Sequence, residues 1–254
     1  MMAKLDDQIN RLGLWAVFVV LISFVITLFL PLDVPDGLSA TQAERVDWLQ
    51  INRVAFILGW INQLMAMMAL TAVLLCTSWQ IRRINPLRAL IAGLVICASC
   101  VIFFVPKFIA IWTIPQLAQV IATGAPGGDM AEMLLSILNV SLPYSLYTAL
   151  DYLGFWLYAL FTLLIAGPLF GQLRSSRIAA VAAILFGVAF HGLLTLLLTG
   201  NLATTDVEPM FTLAFTIMLV FVVAMGFHFR SALSNPAPVE LSLIHISEPT
   251  RRTP

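Results

Sequence analysis

Of 254 residues, 61% are hydrophobic and only 10% charged, and the mean hydropathy is +0.98, which excludes an ordinary soluble globular protein. The 13 basic and 13 acidic residues cancel, so no basic surplus points to nucleic acid as a partner. Six apolar runs of about 20 residues each leave no room for a soluble catalytic domain.

The runs are residues 12–30, 54–79, 89–105, 149–170, 178–199 and 211–229. Crossing ~30 Å of hydrocarbon takes about 20 helical residues. Lipid cannot satisfy backbone polar groups, so such runs must be helical. The third reaches full length by continuing through Pro106 and Lys107 to Trp112. The expected fold is therefore all-α: a membrane bundle of six transmembrane helices with a short amphipathic helix on the outer face, residues 1–240 forming one six-span integral membrane domain.

The first run is too long for a secretory h-region and no small-x-small site follows it, so it reads as an uncleaved span. After it, Thr41-Gln-Ala-Glu44 has the form of a capping box. The helical period then continues into the second run, which predicts a helix protruding beyond the bilayer. In the third run, Ala89, Gly93 and Cys97 form a small-residue stripe. Cys97-Ala-Ser-Cys100 has redox spacing, yet it falls inside a span. It reads, with Cys76, as thiols buried on a packing face. Residues 108–123, broken by Pro115, are either the end of the third span or a re-entrant element.

Beyond the Gly-rich stretch 124–128, Asp129-Met-Ala-Glu132 resembles a second capping box. Met130, Met133, Leu134, Ile137 and Leu138 recur at helical spacing until Pro143. This stripe suits a helix lying flat on the outer membrane surface or on neighbouring spans. The fifth run carries Ala179, Ala183 and Gly187 at intervals of four, with His191 next on that face. This stripe and that of the third run are candidates to pack on each other. His228, beside Arg230, reads as interfacial. The six tryptophans mostly stand near span ends, where aromatic belts belong.

Basic residues in short loops set orientation. With the N-terminus in the cytoplasm, Lys4, Arg11, Arg82, Arg83, Arg88, Arg174, Arg177 and Arg230 all fall inside. Asp33, Asp36, Glu44, Asp47, Asp129, Glu132, Asp206 and Glu208 then fall outside. The expectation is a multi-pass protein of the plasma (inner) membrane with N-terminus and C-terminus cytoplasmic.

The last fourteen residues, 241–254, read LSLIHISEPTRRTP. Residues 241–251 resemble, without a gap, the in-frame translation of a transposase-type sequencing-library adapter. That segment is accordingly treated as a non-native tail, which leaves open where the natural chain ends.

Five polar residues fall in the outer third of a ~30 Å core: Asn62, Gln63, Lys107, Asp151 and His191, from four different spans. Buried ionisable groups are costly and usually face the bundle interior, a partner or a cavity. The expectation is one outward-facing polar cluster in which Lys107 pairs with Asp151. The plainer alternatives are snorkelling by Lys107 and Asp151, interhelical glue at Asn62 and Gln63, and a satisfied core histidine at His191.

No HExxH, GxSxG, Ser/Lys pair or paired intramembrane carboxylates occur, which points away from an enzyme and calls for no cofactor or metal. What remains is a membrane scaffold, sensor or partner subunit embedded in the lipid bilayer, with the outer face as the surface for a protein partner. The alternative is a small-solute transporter or channel-like protein with an outward-facing polar pocket. The layout over about residues 10–230 loosely resembles uncharacterised six-span bacterial inner-membrane proteins with short basic inner loops and a structured outer segment after the third span. That resemblance implies a bacterial plasma membrane and names no activity.

Overall fold

A computed structural model of the chain describes residues 2–171 and 173–234; the adapter-like tail 241–254 and its reading lie outside the described residues. The elements are α1 (Met2–Thr27), α2 (Gln42–Ile81), α3 (Pro86–Phe108), α4 (Ile114–Thr123), α5 (Gly128–Ile137), α6 (Leu146–Phe170), α7 (Arg174–Leu198) and α8 (Val207–Ser234). No strand occurs among the described residues. Six helices are long and apolar enough to cross a membrane: α1, α2, α3 with its continuation, α6, α7 and α8.

The spans close a ring. α1 packs on α2 and α8, α8 on α7, α7 on α6, α6 on α3, and α3 back on α2, while α2 also reaches across to α6 and α8. Small residues set the closest approaches, since lipid supplies no hydrophobic force between helices. A Cβ on Gly154 of α6 would stand 2.7 Å from the Phe103 ring of α3. Beside it, the Ser99 hydroxyl donates to the Gly154 carbonyl at 2.8 Å. On α7, Ala179, Ala183 and Gly187 are buried as the stripe predicts. Their partner differs from expectation: Gly187 receives Leu163 and Thr162 of α6. The stripe on α3 divides. Ala89 is buried, Gly93 approaches Ser78 of α2, and Cys97 is exposed. The buried face of α3 runs instead through Ala92, Ile96, Ser99 and Phe103. Cys100 is half-buried and Cys76 buried, so of the three thiols only Cys76 fits the expected packing role.

Two helices are longer than a bilayer crossing needs, and their extra length lies at the same end. α2 has 40 residues, about 60 Å at ~1.5 Å per residue, twice the hydrocarbon thickness. It begins at the expected capping box, where the Thr41 amide donates to Glu44 at 2.8 Å and the Glu44 amide to the Thr41 hydroxyl at 3.3 Å. It bends at Asn52 (φ −105, ψ 15), whose side-chain amide donates to the Trp48 carbonyl. The other long helix answers the question about residues 108–123. α3 does not re-enter; it passes through a π-turn at Ile109–Thr113 directly into α4, giving a continuous 38-residue helix, Pro86–Thr123. Pro115 has no N–H to give to an i−4 carbonyl, and a wider π-turn just before it absorbs that loss.

These projections carry a cap with its own core. Val46, Leu49, Phe56 and Trp60 of α2 meet Ala110, Ile114, Ala118, Leu135, Leu138 and Tyr147. α5 starts at Gly127 (φ 92) with no side-chain cap, so the expected second capping box is absent and Asp129 sits inside the first turn. A glycine able to take positive φ already turns the chain there. Of the two placements expected for α5, the one on neighbouring spans is seen, with α5 packed on α4. The Gln42 side chain donates to the Glu132 carbonyl at 2.9 Å and accepts from Ser136 at 3.0 Å. Gln42 opens α2, about 27 Å along the helix from Trp60, so α5 stands at the top of the cap. The opposite end of the bundle, with Arg82, Arg83, Arg88, Arg174, Arg177 and Arg230, is called the basic end below.

Candidate functional site

Of the five polar residues, the structure brings Lys107 and Asp151 together. The Lys107 ammonium lies 2.7 and 2.6 Å from the two Asp151 carboxylate oxygens and donates to the Tyr147 hydroxyl at 3.2 Å. Its side chain is 3% exposed and that of Asp151 17%. Register explains the meeting: Tyr147 and Asp151 are one turn apart on α6 and face the same neighbour. Lys107 also stands 5.3 Å from the ring centroids of Trp60 and Tyr147 and 5.6 Å from that of Phe103, within reach of their quadrupoles. Trp60 and Tyr147 belong to the cap core and Phe103 to the span core. The ion pair thus marks the seam between the two.

The ammonium thus meets one carboxylate and one hydroxyl, both from α6. Snorkelling is not what Lys107 does. It is a pin between α3 and α6.

The other three residues go elsewhere. Asn62 donates to the Ser23 carbonyl and the Thr27 hydroxyl of α1, each at 3.0 Å, and Gln63 donates to the same hydroxyl at 3.1 Å. They hold α1 on α2, as the interhelical-glue alternative has it. His191 sits between α6 and α7. Its Nε2 accepts from the Trp156 indole at 3.2 Å and its Nδ1 lies 2.7 Å from the Gly187 carbonyl. One neutral tautomer, protonated on Nδ1, satisfies both contacts. The single cluster of four spans is therefore replaced by three separate contacts. Equal depth specifies height in the membrane but not which way a side chain faces round its helix.

Sequence reasoning missed a second buried ion pair and its setting. Arg45, 3% exposed, pairs with Asp33 and donates to the Gly37 carbonyl at 2.7 Å, while Ser141 also donates to Asp33. The loop before α2 is thereby tied to the loop after α5, and the Trp60 indole donates to the Leu32 carbonyl at 3.0 Å to close the arrangement. The available signal is Asp33 and Arg45 flanking the capping box at Thr41–Glu44. At the basic end, Asp6 accepts from the Trp79 indole at 2.8 Å and pairs with Arg82 and Arg83. His228 is 4% exposed rather than interfacial, and its Nδ1 has no partner among the described residues. No three His, Cys, Asp or Glu side chains among those residues gather as metal ligands would.

Measured against known protein families, curated proteins and solved structures, the chain matches none.

What the cap does present is an apolar strip. α5 buries Ala131 and Leu135 against the cap core, and Leu138 follows at its end. That leaves Met130, Met133, Leu134 and Ile137 exposed at 60, 63, 39 and 48%. The period that predicted an apolar face here is real, but the helix has two such faces and buries the smaller-residue one. Hydrogen bonds to Gln42 hold α5, and with it the strip, at the far end of the cap from the basic end.

Proposed function

We propose that the chain is a multi-pass protein of a bacterial plasma membrane, with both termini cytoplasmic, acting as a scaffold, sensor or partner subunit that offers its outer cap to another protein. The orientation rests on the gathering of arginines at one end of the bundle and of Asp33, Asp36, Asp47, Asp129 and Glu132 at the other.

The observation that carries the reading is the α5 strip. Four apolar side chains at helical spacing are exposed on a cap that has its own core; on the proposed orientation the cap projects outward past the ~30 Å hydrocarbon core, and apolar surface in water marks an interaction site. The transporter alternative needs polar groups free to meet a solute, and each candidate group already has a protein partner. A photo-crosslinking residue at Met133 in intact cells tests the proposal. A discrete protein adduct that disappears when Met130 and Ile137 are both replaced by Asp supports it. Adducts to lipid alone, or none, overturn it.

A further inference from the structure

Away from the cap, a groove of about 360 Å³ opens between α7 and α8, starting at the basic end. Its walls are Phe170, Ile178, Val181 and Leu185 on one side and Ile217 and Val220 on the other. All are apolar. The exception is at the mouth, where Arg177 completes the lining. Arg174, one turn earlier, shares that helix face, and the five ion pairs of the described residues use neither arginine. From Arg177 to Leu185 the groove runs about 12 Å along α7, away from the basic end.

We infer that this groove binds an anionic phospholipid, one acyl chain lying along Val181, Leu185, Ile217 and Val220 with the phosphate against Arg177. The occupant must bring an anion to the membrane interface and a flexible apolar body just inside it. A phospholipid carries both at that spacing. A packed partner helix would have to place a carboxylate at the same height on an otherwise apolar face, at a desolvation cost that a headgroup in the interface does not meet. Arginine suits the task because its guanidinium forks onto phosphate oxygens. Only the naming of the leaflet, the cytoplasmic one, rests on the orientation proposed above; the site itself is independent of the cap's role.

Native mass spectrometry of the protein extracted in mild detergent tests this, with phosphatidylglycerol or phosphatidylcholine added back in mixed micelles. Wild type should retain one phosphatidylglycerol per chain and prefer it to phosphatidylcholine at least ten-fold. Arg177→Gln should abolish the preference. Val181→Trp, which fills the groove but keeps the arginine, should lower retention of both lipids at least ten-fold. Both positions are exposed, so the bundle core is untouched, and unchanged thermal unfolding of each variant verifies it. Equal retention by all three proteins overturns the site. So does a dimer of wild type that Val181→Trp dissociates, because the occupant is then a second copy.

Discussion

Lys107 and Asp151 show how strongly burial changes the worth of an ion pair. The pair Arg11–Asp7, 69 and 46% exposed, is of the kind that contributes about 0–1 kcal/mol, so Arg11→Gln should leave thermal unfolding in detergent unchanged. Asp151→Asn instead strands an ammonium among Trp60, Phe103 and Tyr147, and removing one partner of a buried pair costs about 3–5 kcal/mol. A marked fall in unfolding temperature is expected, largely restored by adding Lys107→Met. If Asp151→Asn melts like wild type, the pair is not the pin described. His228 offers the reverse case. A buried polar atom without a partner costs about 1–3 kcal/mol, so His228→Phe, close in shape, should unfold at the same or a higher temperature. The Lys107–Asp151 pair was legible because opposite charges at one depth on two spans have few other ways to be satisfied. Asn62 and His191 were not, since Thr27 and Trp156 serve them equally well and nothing in a linear sequence ranks these partners.

At the scale of the helix, glycine position decides more than glycine count. Gly154 faces the Phe103 ring, whereas Gly192 has nothing within 4 Å of where a Cβ would be. Gly154→Ala should therefore lower the unfolding temperature, overpacking costing about 1–3 kcal/mol. Gly192→Ala should be neutral or slightly stabilising through helix propensity of up to about 1 kcal/mol; equal effects of the two would contradict the close α3–α6 approach. Element existence was legible throughout, down to the Thr41 box. Facing was less so. On α3 the small stripe Ala89, Gly93, Cys97 was chosen over the true face ending in Ser99 and Phe103, because close approach there comes from a glycine on the opposite helix. On α5 apolar residues line both sides, and periodicity alone cannot say which side the cap takes.

For the whole molecule, orientation is the property with the plainest measurement. In a chain whose Cys76, Cys97 and Cys100 are replaced, a cysteine at Asp206 should react with an impermeant thiol reagent applied to intact cells, and one at Ser175 should not. The opposite pattern inverts the topology and moves the cap to the cytoplasm. The cap's attachment has a mechanical result as well. α3 runs into α4 without interruption, and α2 bends only at Asn52, so on the proposed placement both would act as levers with one arm in lipid and the other in water. From Lys107 to Thr123 the outer arm is about 24 Å long. Spans tilt when bilayer thickness changes, and a tilt of about 10° would sweep the tip through roughly 4 Å. On the proposed placement, a change in membrane thickness would thereby be magnified at the tip, much as a pointer magnifies the movement of its pivot.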